Sequence, residues 1–188
     1  AEKFGKSIRT RFMKVLKVDE EELMRAIADY YAALESSTDF NPKNIIVHIS
    51  KRYSIDPILL DDVFWKEDNH YKNSLYPEVV SVLEKLSAER VLGIFSQGFE
   101  EFQRHKLKAS GIKKFFKDEN IFVYRRKLSE EAIGGLPSDA TVIDDNHEVA
   151  LKLSDYVDTV WMNRRNEDND PQVKTIHSLS EILERTNS

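Results

Sequence analysis

The first 75 residues carry apolar side chains at the spacing of three and four residues that is typical of amphipathic helices. Three of the predicted helices follow a capping residue, Asp19, Asn41 or Asp56, and a proline directly follows the last two. The apolar positions are Phe4, Ile8, Phe12, Leu16, Leu23, Ile27, Tyr30, Tyr31, Leu34, Ile45, Ile46, Ile49, Tyr53, Leu59, Leu60, Val63 and Phe64. The pattern predicts an all-helical unit over residues 1–75.

The pattern changes at residue 76, where helical segments begin to alternate with short apolar runs. These runs are too short for stable helices, so they predict buried strands. They occupy residues 91–95, 121–124, 140–143 and 159–162. Helical segments lie near residues 79–86, 100–111, 129–134 and 147–153, and another follows residue 180. The alternation predicts an α/β unit over residues 76–188 with a doubly wound parallel sheet.

Polar side chains follow two of these strands at their carboxyl ends. The first strand leads into Ser96, Gln97 and Gly98, and the third leads into Asp144 and Asp145. In open α/β sheets, ligands bind at the edge where the carboxyl ends of the strands meet. A hydroxyl beside a small turn residue suits a phosphate group, and paired carboxylates suit a hard divalent cation. The sequence therefore predicts phosphoryl chemistry at this edge.

Composition narrows the classes of partner. Among 188 residues, 33 acidic and 28 basic side chains give a net charge of -5, so general attraction to nucleic acid or to an anionic membrane is not expected. The absence of cysteine excludes disulfides and thiolate nucleophiles. No apolar run approaches the roughly 18 to 20 residues of a membrane-spanning helix, and we expect a cytoplasmic protein. The oligomeric state stays open.

The ordered set of motifs resembles the haloacid dehalogenase-like (HAD) phosphohydrolases over roughly residues 76–185. The set consists of a strand ending at Ser96, a following helix, Lys127, and a strand ending at Asp144 and Asp145. The resemblance implies a HAD-like Rossmannoid core over residues 76–188 and an α-helical cap domain over residues 1–75. It also implies a phosphatase that uses Mg²⁺ and acts on a small phosphorylated substrate.

The resemblance assigns phosphate binding to Ser96 with its neighbours Gln97 and Gly98, and charge neutralisation on the phosphoryl group to Lys127. Two alternatives stay open. Ser96 would otherwise cap the helix that begins near residue 100. The cation would otherwise be Arg125 or Arg126, because three basic residues are adjacent and the register is uncertain by a residue.

The resemblance also assigns the metal ligands. Asp145 would bind Mg²⁺ directly and Asp144 would act through a water molecule. A helix cap by one of these acids before His147 is the alternative, but it does not explain both carboxylates. The five histidines show no metal-ligand spacing and are expected to be surface or helix-face residues, with His147 the one closest to the predicted site in sequence. The sequence also has no glycine-rich nucleotide loop.

One expected motif has no counterpart in the sequence. HAD phosphatases carry a nucleophile and a general acid and base on a strand that ends Asp-x-Asp. The only similar run in this sequence ends at Asp61 and Asp62, but it follows a helical pattern. That strand would lie between the strands ending at Ser96 and Asp145, where its loss would leave two buried edges open. We therefore expect an N-terminal segment of about ten to fifteen further residues.

The main functional hypothesis is a magnesium-dependent phosphohydrolase that acts on a small phosphorylated metabolite through an aspartyl-phosphate, with the nucleophile outside these 188 residues. The alternative is a non-catalytic binding or interaction protein on the same fold, completed by a strand from a partner. Dehalogenase or phosphomutase activity on the same scaffold is a third hypothesis. The substrate itself cannot be predicted, because helices that pack as a cap record packing and not specificity.

Overall fold

The structure is a computed structural model that describes residues 2–36, 39–66 and 69–185, with side chains described for 5–36, 39–66 and 71–184. In chain order the helices and strands are α1 (Glu2–Leu16), α2 (Glu20–Ala32), α3 (Pro42–Tyr53), α4 (Pro57–Trp65), α5 (Asn69–Lys72), α6 (Val79–Glu89), β1 (Ile94–Gln97), α7 (Glu100–Ala109), β2 (Ile121–Tyr124), α8 (Glu130–Gly134), β3 (Thr141–Asp144), α9 (His147–Leu153), β4 (Asp158–Met162), β5 (Lys174–Ile176) and α10 (Glu181–Arg185). No helix among the described residues is long and apolar enough to span a bilayer.

The capping residues that were predicted to begin α2, α3 and α4 are confirmed. The side chains of Asp19, Asn41 and Asp56 each accept a hydrogen bond from a backbone N–H in the first turn of the helix that follows. These bonds satisfy donors that have no partner within the helix, which is why the caps fix the helix starts so closely. The left-handed residue Ser54, at φ 53°, then ends α3.

The chain divides into two compact units. The first comprises Ala1–Leu75 and Gly98–Lys114, and the second comprises Tyr76–Gln97 and Phe115–Ser188. The sequence-based division at residue 76 places the segment Gly98–Lys114, which contains α7, in the α/β unit, whereas the structure groups it with the helices of the first unit.

Aromatic packing explains why α7 groups with the first unit. The ring of Phe102 is 5.3 Å from Phe64, 5.9 Å from Phe40 and 6.1 Å from Trp65, measured between ring centroids. These rings belong to a helical core that also buries Leu23, Ile46, Ile49 and Leu60. A hydrophobic cluster of this kind is the main source of stability for short helices, which are marginal alone.

The strands of the second unit form two sheets in the described part of the chain. In the first sheet β1 pairs with β2, and in the second the order is β3-β4-β5. Every pairing is parallel, with Ile94 opposite Ile121, Thr141 opposite Asp158 and Val160 opposite Lys174. Parallel pairing with helical crossovers agrees with the predicted fold class. Strand β5 had not been predicted, because three residues give too short a pattern.

The second sheet carries the main core of this unit. Val160 and Met162 of β4 and Ile176 of β5 are buried against Val82 of α6 and Ile182 of α10. All four residues of β1 are only half-buried. Val91, which was predicted to begin this strand, lies before it with 82% of its surface exposed. The observed strand therefore begins three residues later, at Ile94, and extends through Gln97.

Candidate functional site

The loop between β2 and α8 brings Lys127 to the carboxyl end of β3. The ammonium of Lys127 donates a hydrogen bond to Oδ2 of Asp144, the last residue of that strand. Only 14% of the Lys127 side chain and 3% of the Asp144 side chain are exposed. Burying a charge is costly unless a partner of opposite sign lies beside it, and each of these two residues supplies that partner for the other.

Strand β1 contributes two further contacts to Lys127. Oε1 of Gln97 accepts a hydrogen bond of 2.8 Å from the backbone N–H of Lys127. The Lys127 ammonium also lies 5.4 Å from the centroid of the Phe95 ring, within the range of a cation–π contact. Lys127 therefore links the carboxyl ends of β1 and β3, which belong to different sheets.

The second oxygen of Asp144 organises the start of α9. Oδ1 accepts a hydrogen bond of 2.9 Å from the backbone N–H of Asn146. The Asn146 side chain in turn accepts from the backbone N–H of Val149 and caps the helix. The alternative that Asp144 or Asp145 caps this helix is therefore wrong, because Asn146 has that role.

Ser96 lies half-buried on β1, one residue before its end. The alternative that it caps the next helix is also wrong, since the residue at the N-cap of α7 is Phe99, without a side-chain cap bond. Gly98 follows the strand with φ 130°, a backbone conformation that residues other than glycine rarely adopt. The phosphate-binding roles of Ser96, Gln97 and Gly98 stay predictions.

The three adjacent cations differ in their surroundings. Arg125 and Arg126 are exposed, whereas Lys127 is half-buried and in contact with Asp144. Ser129 caps α8 by accepting from the backbone N–H of Ala132, so the loop that carries Lys127 ends at a fixed point. The geometry favours Lys127 as the cation of the site.

Asp145 is exposed beside the buried Asp144. Within the described ranges, no group of three or more His, Asp or Glu side chains is arranged to hold a metal ion. Mg²⁺ does not require such a group, because it is commonly bound by one or two carboxylates together with waters and substrate phosphate. Both oxygens of Asp144 already accept hydrogen bonds, and the Asp145 carboxylate faces solvent. Carboxylate oxygens of this kind fit a magnesium ion that keeps several waters, and the assignment of Asp145 as its direct ligand stays a prediction.

His147 forms a contact that the sequence did not reveal. Its Nε2 lies 2.8 Å from Oδ2 of Asp170, and its ring centroid is 4.5 Å from that of Trp161. Hydrogen bonds from the backbone N–H of Gln172 and from His147 lower the pKa of Asp170 below its ordinary value. The two residues of this pair are 23 positions apart, and no local pattern connects them.

Phe95 was also missed as a site residue, although the sequence held a signal for it. The side chains of residues two apart on a strand point to the same face of the sheet, so Phe95 and Gln97 of β1 lie on one face. Once Gln97 is placed near the site, this alternation predicts that Phe95 accompanies it.

Comparison with known proteins identifies the fold. No family model matches the chain, and no curated protein matches it. Among solved structures, a Bacillus subtilis protein described as a HAD-hydrolase, YfnB, bound to magnesium, has 19% identity and a TM-score of 0.58 over 97% of this chain and 92% of its own. A HAD phosphatase from Thermococcus onnurineus has 19% identity and a TM-score of 0.59 over 95% of this chain and 86% of its own.

A third structure, of a protein from Burkholderia xenovorans LB400 described as a haloacid dehalogenase-like hydrolase, has 15% identity and a TM-score of 0.66. It covers 94% of this chain and 86% of its own. Identities this low establish a shared fold and not a shared substrate. The chain therefore has the haloacid dehalogenase-like fold, as its motifs predicted.

Proposed function

We propose that this protein is a magnesium-dependent phosphohydrolase of the HAD type that acts on a small phosphorylated metabolite. The observation that carries the proposal is the contact of Lys127 with Asp144 at the carboxyl end of β3 and with Gln97 at the carboxyl end of β1, the strand that also carries Ser96. A phosphoryl group needs donors and positive charge at one point, and a serine hydroxyl with a lysine ammonium supplies both.

In the proposed reaction, the Ser96 hydroxyl and the backbone N–H groups around Gly98 donate hydrogen bonds to phosphoryl oxygens. The Lys127 ammonium neutralises charge on those oxygens while a carboxylate oxygen attacks phosphorus. The bond from phosphorus to the leaving oxygen breaks, and that oxygen takes a proton from a general acid that is proposed to lie on the same segment as the attacking carboxylate. Water then hydrolyses the resulting acyl phosphate, which releases inorganic phosphate and restores the carboxylate.

The attacking carboxylate is proposed to come from a segment outside these 188 residues. Support comes from the sheets, because β1 pairs with β2 and β3 pairs with β4, and no other strand of the described chain pairs with either. An added parallel strand between β1 and β3 would satisfy both edges and would end beside Lys127. With such a strand in place, the two sheets would form one continuous sheet.

Asp145 is the proposed direct ligand of Mg²⁺, and Asp144 is proposed to act through water. Bound there, the ion would supply positive charge to the phosphoryl oxygens. The Asp144 carboxylate meanwhile holds Lys127 and the start of α9. We also propose that the helices of residues 1–75 serve as the cap that admits the substrate.

The direct test uses the full-length protein with magnesium and a generic aryl phosphate. We expect phosphate release that chelation with EDTA removes and that added magnesium restores. Asp145→Asn should lower kcat by about 100-fold or more, because it removes the charge that binds the ion. Asp139→Asn is the matched control, since Asp139 is an exposed acid five residues before β3 ends. Turnover retained in Asp145→Asn would contradict the metal assignment.

The alternative proposal is a non-catalytic interaction protein. The open edges of β1 and β3 in the described chain favour it as much as they favour a missing segment, because either edge can accept a strand from another protein. Sequencing the gene upstream of Ala1 separates the two proposals. An apolar strand that ends Asp-x-Asp supports the enzyme, and its absence supports the interaction protein.

A further inference from the structure

The side chain of Gln97 is hydrogen-bonded to the backbone of Lys127. Its side-chain carbonyl accepts the backbone N–H of Lys127 at 2.8 Å, which connects residues 30 positions apart. The donor belongs to the loop between β2 and α8, while Gln97 ends β1. A hydrogen bond of this length between two elements restrains the loop at the residue that carries the cation.

The restraint acts on the backbone of a residue whose side chain is also held at its charged end. The Lys127 ammonium contacts Asp144 on β3 and lies over the Phe95 ring of β1, so its backbone and its charged end are both held. A lysine stem has four rotatable bonds, and a displaced backbone would withdraw the ammonium from Asp144. Gln97 therefore fixes the point from which Lys127 reaches the site.

We propose that Gln97 is a positioning residue that holds the Lys127 backbone, so that the ammonium stays against Asp144 and faces the phosphoryl group. Its importance for catalysis rests on the proposed phosphohydrolase function, but its effect on Lys127 does not. This role differs from the substrate binding that was expected for Gln97, because Gln97 acts through Lys127.

Three variants separate this role from a general effect on folding. Gln97→Leu keeps the size of the side chain and removes the acceptor, whereas Gln97→Glu keeps an acceptor oxygen at the same reach. Gln97→Asn shortens the side chain by one methylene and serves if Gln97→Leu does not fold. Gln172→Leu is the matched control, since Gln172 is an exposed glutamine of the same unit.

The first measurement is independent of enzyme activity. Reductive methylation of lysines in the full-length protein, followed by peptide mass mapping, reports how shielded each ammonium is. We expect Gln97→Leu to raise the rate at Lys127 by about threefold or more, because a lost hydrogen bond loosens the loop. The rate at Lys152, an exposed lysine of α9, should not change. Equal shielding of Lys127 in wild type and Gln97→Leu would overturn the proposal.

The second measurement is turnover of an aryl phosphate with magnesium. Gln97→Leu should lower kcat about three- to tenfold with little change in KM, and Gln97→Glu should recover most of the loss. If wild type has no turnover, the proposed function fails, and the methylation rates still decide the role of Gln97. If wild type is active and Gln97→Leu retains full kcat, Gln97 is not a positioning residue for the reaction.

Discussion

The two sheets of the second unit use the same parallel pairing but differ in how they are buried. Strands β4 and β5 bury Val160, Met162 and Ile176 in a core with α6 and α10. Strand β1 is half-buried along its whole length. Parallel strands are normally covered on both faces, since their crossover helices lie there. Strand β1 of the first sheet is therefore less covered than β4 and β5 of the second.

Each sheet also has an edge, at β1 or at β3, that pairs with no other strand within the described residues. β1 pairs on one side with β2, and β3 pairs on one side with β4. Lys127 nevertheless joins their carboxyl ends, through Gln97 and Asp144. The two sheets thus share one site while their backbones remain separate. The following predictions test how the two sheets differ.

The largest effect on stability is expected when one isoleucine is shortened in each sheet and the two losses are compared. Ile176→Ala, at a fully buried position of β5, should lower the free energy of unfolding by about 4 kcal/mol, because it leaves a cavity. Ile94→Ala, at the half-buried start of β1, should cost about half as much. Urea unfolding of both variants, with constant m-values, measures the difference.

A longer chain sharpens this comparison. If a further strand covers the edge of β1, the cost of Ile94→Ala should rise towards that of Ile176→Ala in the longer protein. Equal costs in the 188-residue chain would contradict the view that the first sheet is incompletely buried.

The sequence predicted the starts of α2, α3 and α4 because their signals are local. Asp19, Asn41 and Asp56 each act within a few residues of their own position, and all three caps are present. The strand at residues 91–95 was misplaced by three residues because apolar character alone does not fix a boundary. Val91 is apolar and yet exposed, so only pairing with β2 shows where β1 begins.

For the candidate site, the sequence indicated the order of the predicted residues but not their contacts. The order of Ser96, Lys127 and the Asp144–Asp145 pair follows from strand ends, which the sequence marks. The hydrogen bond from Lys127 to Gln97 and the pair of His147 with Asp170 join distant segments. No periodicity encodes such contacts, because they depend on how loops close in three dimensions.

A smaller effect is expected when the link between the sheets is cut. Lys127→Met leaves the Asp144 carboxylate buried without its cation, which should lower the free energy of unfolding by about 2 to 3 kcal/mol. Lys174→Met is the control in the second sheet, where Lys174 and Asp158 form an exposed ion pair. That change should cost less than about 1 kcal/mol.

The double variant Lys127→Met with Asp144→Asn distinguishes charge from packing. It should recover part of the stability that Lys127→Met loses, since no buried charge then lacks a partner. A double variant that is less stable than Lys127→Met alone would show that the carboxylate, and not the ion pair, matters there. Its hydrogen bond to Asn146 would be the first alternative to examine.

The smallest effect on stability is expected from an ion pair between α6 and the loop after β4. Nη1 of Arg164, in the loop after β4, lies 2.6 Å from Oε1 of Glu78, at the N-terminus of α6. Burial alone would raise the pKa of Glu78, but hydrogen bonds from its own backbone and from Arg164 outweigh burial and lower it. A carboxyl group with a lowered pKa in the folded state stabilises the protein in its ionised form.

Glu78→Gln should therefore lower the free energy of unfolding by about 1 kcal/mol at neutral pH. The stabilisation by Glu78 is complete above the ordinary glutamate pKa of 4.5 and is lost as the pH falls from there through the lower folded value. The free energies of unfolding of wild type and Glu78→Gln, measured in urea, should thus converge in acid and reach their full difference above pH 4.5, whereas Glu89→Gln, at an exposed position of α6, should follow wild type throughout. A constant difference at every pH would assign the effect of Glu78 to its packing and not to its charge.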